Sequence, residues 1–188
     1  MCGSGKDAKL DTDTTEGSIS MRFYVLATLA LAGTSLPLAS ATAQSSYQTS
    51  RLLKTIDEAA LVATLESMGV EHGTDKGTDG STLYTIDYQN GFKAFSYFRA
   101  CEDGCKGLVL IGVFSPPENM TPNQLRDTVR EFNDRYPAAK LYVAESGDTY
   151  SQSYVIFDEG ITMGNLKAQL EVFGDIGAEV SDKLYSDD

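Results

Sequence analysis

Residues 92–114 read FKAFSYFRACEDGCKGLVLIGVF, and this stretch decides the fold because two strand patterns flank a short turn that contains two cysteines. In residues 92–99 the side chains alternate between two faces. One face has Phe92, Ala94, Ser96 and Phe98, and the other has Lys93, Phe95, Tyr97 and Arg99. Residues 108–114 are nearly all apolar, which is typical of a strand in the middle of a sheet. The stretch therefore predicts an antiparallel hairpin whose second strand is central.

The segment before this hairpin predicts one more strand and a loop. Asn90-Gly91 is a strong hairpin turn, so it joins a strand at residues 83–88 to the strand at 92–99 and makes an antiparallel meander. Residues 71–81 are polar and glycine-rich, and we interpret them as a solvated loop that carries His72. Asp75 and Asp79 lie in this loop, but their spacing does not match a calcium-binding EF-hand.

Three helices and two further strands complete the pattern. A Thr55–Glu58 capping box predicts a helix over residues 57–68, and a Thr121–Gln124 box predicts a second that ends near residue 136. Strands are predicted at 140–144 and 150–157. A third amphipathic helix follows, and Gly174 and Gly177 are expected to bend or split it. Its apolar positions are Met163, Leu166, Leu170, Phe173, Ile176, Val180 and Leu184.

The predicted fold class is α+β, an antiparallel sheet of about five strands with three helices in the order α-β-β-β-α-β-β-α. The domain is expected to cover residues 51–188, preceded by a flexible lead-in at residues 44–50.

The stretch from Met21 to Ala43 has the layout of a secretory signal peptide. Arg22 precedes an apolar run, and a small-x-small site ends at Ala43, so cleavage is expected between Ala43 and Gln44. The apolar run is too short for a transmembrane helix, which needs about 20 residues. Residues 1–20 are polar, and we interpret them as an over-extended start that is disordered. The sequence thus predicts a periplasmic or secreted protein.

The formal charge of the chain is −12, from 15 Lys and Arg against 27 Asp and Glu. Cleavage after Ala43 removes three basic and four acidic residues and leaves the domain acidic. Such a charge repels phosphate backbones and anionic lipid headgroups. We therefore expect neither nucleic acid nor the membrane surface as a partner, whereas a basic partner is compatible with the charge.

Two cysteines, Cys101 and Cys105, remain in the exported domain. An even count in an exported chain suggests a disulfide, and Gly104 can take the positive φ that a tight loop needs. A redox-active pair and free thiols are the alternatives, but the acidic residues between the cysteines would raise the thiol pKa values. A metal site would need more ligands than these and the single histidine. We expect neither metal nor cofactor.

The order of elements and three stretches of sequence resemble the YbjN family over residues 53–184. These stretches are the aromatic strand that ends at Cys101, the segment Phe132–Tyr136 around Asn133, and residues 139–148 with their Gly-Asp turn. The resemblance implies a fold like that of type III secretion chaperones and a non-catalytic role. Phe132 stands where members of the family often have a tryptophan.

No catalytic set is apparent in the sequence. His72 lies in the predicted polar loop, and no phosphate-binding loop, zinc motif or dinucleotide fingerprint is present. Several tyrosines fall on predicted strands, where core packing explains most of them, and the alternative is that one sheet face exposes some for recognition. The candidates for such a surface are Tyr84, Tyr88, Tyr97, Tyr142 and Tyr154.

We therefore predict a non-enzymatic binding or regulatory domain that recognises a peptide or a protein, with a homodimer as a further option. The alternative is a small-ligand sensor or weak hydrolase that uses a carboxylate pair in a pocket.

Overall fold

An antiparallel sheet of six strands forms the centre of the fold in the computed structural model, which describes residues 46–186. Its strands are β2 (Glu71–Lys76), β3 (Thr82–Asp87), β4 (Lys93–Arg99), β5 (Gly107–Phe114), β6 (Lys140–Val143) and β7 (Thr149–Ile156). They lie in the order β2-β3-β4-β5-β7-β6. A separate short pair joins β1 (Leu52–Leu53) to β8 (Ile161–Thr162). The predicted α+β class is confirmed.

The predicted meander and its central strand are also confirmed. Strands β3, β4 and β5 pair in sequence, and β5 lies between β4 and β7. The Asn90-Gly91 turn joins β3 to β4, and Gly91 has a φ of 86°. Because β5 pairs with β7 along its full length and with β4 from Gly107 to Gly112, its continuous apolar sequence is explained by its position.

The prediction of a loop over residues 71–81 is wrong for its first half, which forms the edge strand β2. This strand pairs with β3 from Glu71 to Lys76 and raises the count from about five strands to six. His72 therefore lies on an exposed edge strand and not in a loop. An edge strand has one neighbour and buries little surface, so its polar sequence contains no hydrophobic alternation to reveal it.

Three helices pack against the sheet, and their order is the predicted one. They are α1 (Glu58–Met68), α2 (Pro122–Arg135) and α3 (Met163–Tyr185). The capping box at Thr121 and Gln124 is confirmed, with both reciprocal bonds present. The box predicted at Thr55 is wrong, because the Asp57 side chain accepts from the Ala60 N–H at 2.7 Å and is the N-cap. Among residues 46–186, no helix is long and apolar enough to cross a membrane.

Helix α3 is continuous from Met163 to Tyr185, so the prediction that Gly174 and Gly177 split it is wrong, while the alternative of a bend stays a prediction. The two glycines lie on its buried side, where the rings of Tyr88 and Phe92 occupy the space that a Cβ atom would need. They allow the helix to approach the β3–β4 hairpin closely. All seven predicted apolar positions of α3 are buried in the core.

Candidate functional site

The two faces of the large sheet differ in what covers them. One face points into the core through residues such as Ile86, Leu110 and Leu141, and the helices pack against it. No helix among the described residues covers the opposite face. We call this opposite face the outer face, defined by its apolar side chains: Phe95, Tyr97, Val109, Ile111, Val113, Tyr142, Tyr150, Tyr154 and Ile156.

The outer face exposes unusually large apolar side chains for a sheet surface. Ile156 is 59% exposed, Tyr154 47%, Val113 43% and Tyr142 38%. Val113 and Tyr142 lie on either side of Tyr150 at one end of the face, and Tyr154 and Ile156 lie at the other end. The half-buried Ile111 connects the two groups on β5, while Gln152 and Lys140 separate them on β7 and β6. Large apolar side chains exposed on an uncovered sheet face mark a candidate interaction site.

Aromatic side chains give the outer face a fixed shape. The rings of Tyr142 and Tyr150 stack with centroids 5.3 Å apart. Tyr154 extends diagonally over Gly107, and a Cβ atom there would collide with the tyrosine hydroxyl. Glycine is therefore needed at position 107 for Tyr154 to lie flat on the sheet. Flat, rigid tyrosines supply contact area at low entropic cost.

The five tyrosines proposed from the sequence as a recognition surface divide into two groups. Tyr97, Tyr142 and Tyr154 lie on the outer face, where the recognition role stays a prediction. Tyr84 and Tyr88 are each 6% exposed and belong to the core, so they cannot form part of that surface. Tyr84 lies on β3 and Tyr88 directly follows that strand, and both point at the helices because residues two apart along an extended chain share a face.

The hydroxyl groups of the two buried tyrosines have partners. The Tyr88 hydroxyl donates to the Leu170 carbonyl at 3.0 Å, and burial strongly raises its pKa. The Tyr84 hydroxyl lies 3.4 Å from a carboxylate oxygen of Glu58, and burial, followed by the charge of Glu58, raises the pKa of Tyr84. Both residues thus tie helices to the sheet, which accounts for them without any binding role.

Sequence reasoning missed several members of the outer face. The alternation of residues 92–99 puts Phe95 on the same face as Tyr97, so the sequence alone could have identified it as a candidate for the recognition surface. Ile111 and Val113 could not be assigned to a face from the sequence, because β5 is apolar on both faces. Ile156 was missed because only the tyrosines of β7 were candidates. Which side chains of a central strand are exposed depends on which face of the sheet the helices cover.

Acidic side chains border the outer face along the β2 side. The register places Glu71 beside Asp87, and Asp75 beside Leu83, on the same face as Phe95 and Tyr97. Lys93 pairs with Asp87, and this hydrogen bond raises the lysine pKa. One acid of this border is thus neutralised, while Glu71 and Asp75 are exposed.

The loop between β4 and β5 holds Cys101 and Cys105 in a disulfide. Gly104 has a φ of 87°, as the tight loop requires. The Ile56 N–H donates to the Cys105 carbonyl at 2.8 Å, and Thr55 packs against Gly104. The loop therefore holds the segment that leads into α1 as well as the turn between β4 and β5.

Carboxylates also gather along α2, where Asp127, Glu131 and Asp134 line a groove of about 590 Å³ with Arg130 and Lys183. Arg130 pairs with Asp127 at 3.1 Å. The described residues contain no group of three or more His, Cys, Asp or Glu side chains placed to hold a metal ion. Among the described residues, Glu131 and Asp134 form no ion pair within 4.0 Å, so the alternative of a carboxylate-dependent sensor or hydrolase stays a prediction.

Asn133 closes the β6 edge of the sheet. Its side-chain amide donates to the Leu141 carbonyl at 2.9 Å, and its oxygen accepts from the Leu141 N–H at 2.8 Å. The amide takes the place of a neighbouring strand. Phe132 beside it is buried in the core.

A family model described as "Putative bacterial sensory transduction regulator" matches residues 57–186, and the chain belongs to this YbjN family. The crystal structure of YbjN from E. coli is similar at a TM-score of 0.53 and 10% identity, covering 71% of this chain and 96% of that chain. The HopA1-SchA chaperone-effector complex is similar at a TM-score of 0.41 and 16% identity, covering 63% and 91%. A search of curated proteins found no match.

Proposed function

We propose that this protein is an exported, non-catalytic binding module that holds a partner polypeptide on its outer face. The observation that carries the proposal is the apolar sheet surface that no described helix covers, with Val113, Tyr154 and Ile156 all more than 40% exposed. Leaving such groups in water costs about 25 cal/mol per Å² of apolar area, so a partner that covers them gains that energy.

The net charge of the chain suggests the kind of partner. Glu71 and Asp75 border the face at β2. Lys93, Arg99 and Lys140 lie on the same face, so it is the net charge of −12 that favours a basic partner. A second copy would bring the same charge and be repelled, whereas a segment with apolar anchors and flanking Lys or Arg would be attracted. The proposed occupant is therefore a polypeptide segment with apolar anchors and basic flanks.

The proposal is tested with two designed peptides that share one core of alternating Leu and Val. One peptide carries two Lys at each end and the other two Glu. We expect the basic peptide to bind at least tenfold more tightly in fluorescence anisotropy, and its affinity to fall as salt is added. The triple variant Val113→Ser, Tyr154→Ser, Ile156→Ser should lose at least tenfold in affinity for the basic peptide.

Val172→Ser serves as the matched control. Val172 is 44% exposed on α3, away from the outer face, so this variant removes a similar exposed side chain and should bind like the parent. Equal binding of the two peptides, or equal losses in the triple variant and the control, would contradict the proposal. A dimer that competes with the peptide would show that a second copy is the occupant instead.

The export part of the proposal rests on the pattern from Met21 to Ala43, which lies outside the described residues. Mass spectrometry of the protein isolated from its host tests it together with the cysteine pairing. We expect the N-terminal peptide to begin at Gln44, and an unreduced digest to contain the Cys101–Cys105 link. An intact Met21 segment would contradict export, and free thiols in a cleaved protein would contradict only the disulfide.

A further inference from the structure

A cleft of about 640 Å³ lies at one end of the outer face, between the β2–β3 turn and the end of β4. Residues 76–81 form one wall, and the other includes Leu83, Tyr97 and Arg99, with Tyr150 also lining the cleft. Two cations line the cleft. Arg99 lies on the outer face and stacks on Tyr97, whereas Lys76 alternates with Asp75 on β2 and extends from the opposite face at the edge of the sheet. In a protein of net charge −12, an exposed guanidinium stacked on a tyrosine distinguishes this end of the outer face.

Neither cation is neutralised within the described residues. Arg99 stacks on Tyr97, with its guanidinium carbon 5.2 Å from the ring centroid, and Lys76 donates to the Thr82 hydroxyl at 3.3 Å. No carboxylate among residues 46–186 lies within 4.0 Å of either one. The tyrosine ring holds the guanidinium in one plane and leaves its N–H donors for another acceptor.

One carboxylate, that of Asp79, also lines the cleft. It accepts from the Ser81 N–H at 2.9 Å, and its hydrogen bonds to Ser81 hold its pKa below the usual range. Asp79 is thus committed to the turn as an ionised side chain that fixes residues 79–81. Among the side chains that line the cleft, the cations exceed the carboxylates by one, while Asp75 lies close by on the same face as Leu83.

We propose that this cleft binds a carboxylate that is attached to an apolar or aromatic group. The Arg99 guanidinium presents two parallel N–H donors that match the two carboxylate oxygens. The rings of Tyr97 and Tyr150 supply contact area for the attached group. This chemistry is found at the C-terminus of a polypeptide and in small aromatic or aliphatic acids.

The polypeptide source rests on the proposed function, because the chain would lie along the outer face with its terminal carboxylate in the cleft. The small-acid source does not depend on it. The test therefore uses four probes in two matched pairs. The first pair is N-acetyltyrosine and its amide. The second pair is an octapeptide of alternating Leu and Val with two Lys at its N-terminal end, made once with a free and once with an amidated C-terminus. Binding is followed by backbone amide shifts in two-dimensional NMR.

We expect both free acids to shift the amides of residues 76–81 and of Tyr97, and both amides to do so at least tenfold more weakly. Arg99→Gln should weaken the free acids at least tenfold and leave the amides unchanged, and Arg99→Lys should restore only part of the loss. Arg130→Gln is the control, since Arg130 lies on α2 and pairs with Asp127. It should change nothing.

Each outcome decides between the sources or overturns the inference. An octapeptide acid that binds at least tenfold more tightly than N-acetyltyrosine identifies a polypeptide terminus, and equal affinities identify a small acid. The inference is overturned if neither acid shifts the cleft, or if acids and amides bind alike. If the cleft does not bind carboxylates but the octapeptide amide binds the parent protein and not the triple outer-face variant, the inference is overturned and the proposed function stands.

Discussion

Replacing Gly177 with alanine is expected to lower the free energy of unfolding by about 2 kcal/mol, although alanine is the better helix former. The new Cβ atom would collide with three ring atoms of Phe92. In an exposed helix the same change would stabilise by about 1 kcal/mol, so the expected sign is reversed by packing alone. Urea denaturation of the parent and the variant measures the difference.

The collision cannot be relieved by a rotation of the Phe92 ring. The ring is 5% exposed and is held by Tyr88, Phe114 and Phe173, whose centroids lie 5.6, 5.6 and 5.8 Å away. Relief would require α3 to move away from the β3–β4 hairpin and open the core along its length. Well-packed cores accept added volume poorly, because several side chains must shift together.

Val172→Ala is the control for Gly177→Ala on the same helix. Val172 is exposed, so this change alters helix propensity without touching the core and should shift stability by less than about 0.5 kcal/mol. Gly174→Ala should resemble Gly177→Ala, since its Cβ would collide with the Tyr88 ring. A Gly177→Ala protein that is more stable than the parent would show that the close approach of helix and hairpin is wrong.

The two glycines also show where sequence reasoning ends. The apolar spacing of α3 predicted its buried face, because a 3.6-residue period depends only on the helix itself. The role of Gly174 and Gly177 depends on Tyr88 and Phe92, about 85 residues earlier in the chain. A glycine in a helical pattern is compatible with a bend or with close packing, and only the position of the partner distinguishes them.

The same distinction between local and distant information holds for the candidate site. The β3–β4 turn and the Thr121 cap were predictable because their chemistry is contained in a few consecutive residues. The outer face was not, because exposure of Val113 and Ile156 depends on which side of the sheet the helices cover. The tyrosines illustrate this well: Tyr84 and Tyr97 have similar strand patterns but face opposite sides.

Replacing Asn133 with alanine is expected to lower the free energy of unfolding by about 1–3 kcal/mol. The change removes both hydrogen bonds to the backbone of Leu141. Asn133 is exposed and both bonds are partly buried, so water can reach the freed groups and each bond contributes about 0.5–1.5 kcal/mol. The loss is measured by urea denaturation, with the slope used to verify that the unfolded state is unchanged.

Asn123→Ala is the matched control, because it changes the same residue type on the same helix. Asn123 is exposed and bonds only to the Arg126 side chain at 3.3 Å, so its loss should cost less than about 0.5 kcal/mol. Asn133→Asp keeps an acceptor for the Leu141 N–H but offers an ionised oxygen to the Leu141 carbonyl. It should therefore also be destabilised at neutral pH, which shows that the amide donor is required.

The second consequence of Asn133→Ala is an open strand edge. In the parent, the Asn133 amide occupies the backbone groups of β6 that would otherwise pair with another chain, and α2 covers the same edge. Exposed edges are templates for association between molecules. We therefore expect the variant, but not Asn123→Ala, to associate with rising concentration in analytical ultracentrifugation. A variant that is destabilised yet stays monomeric would mean that α2 alone protects the edge, and that Asn133 acts only on stability.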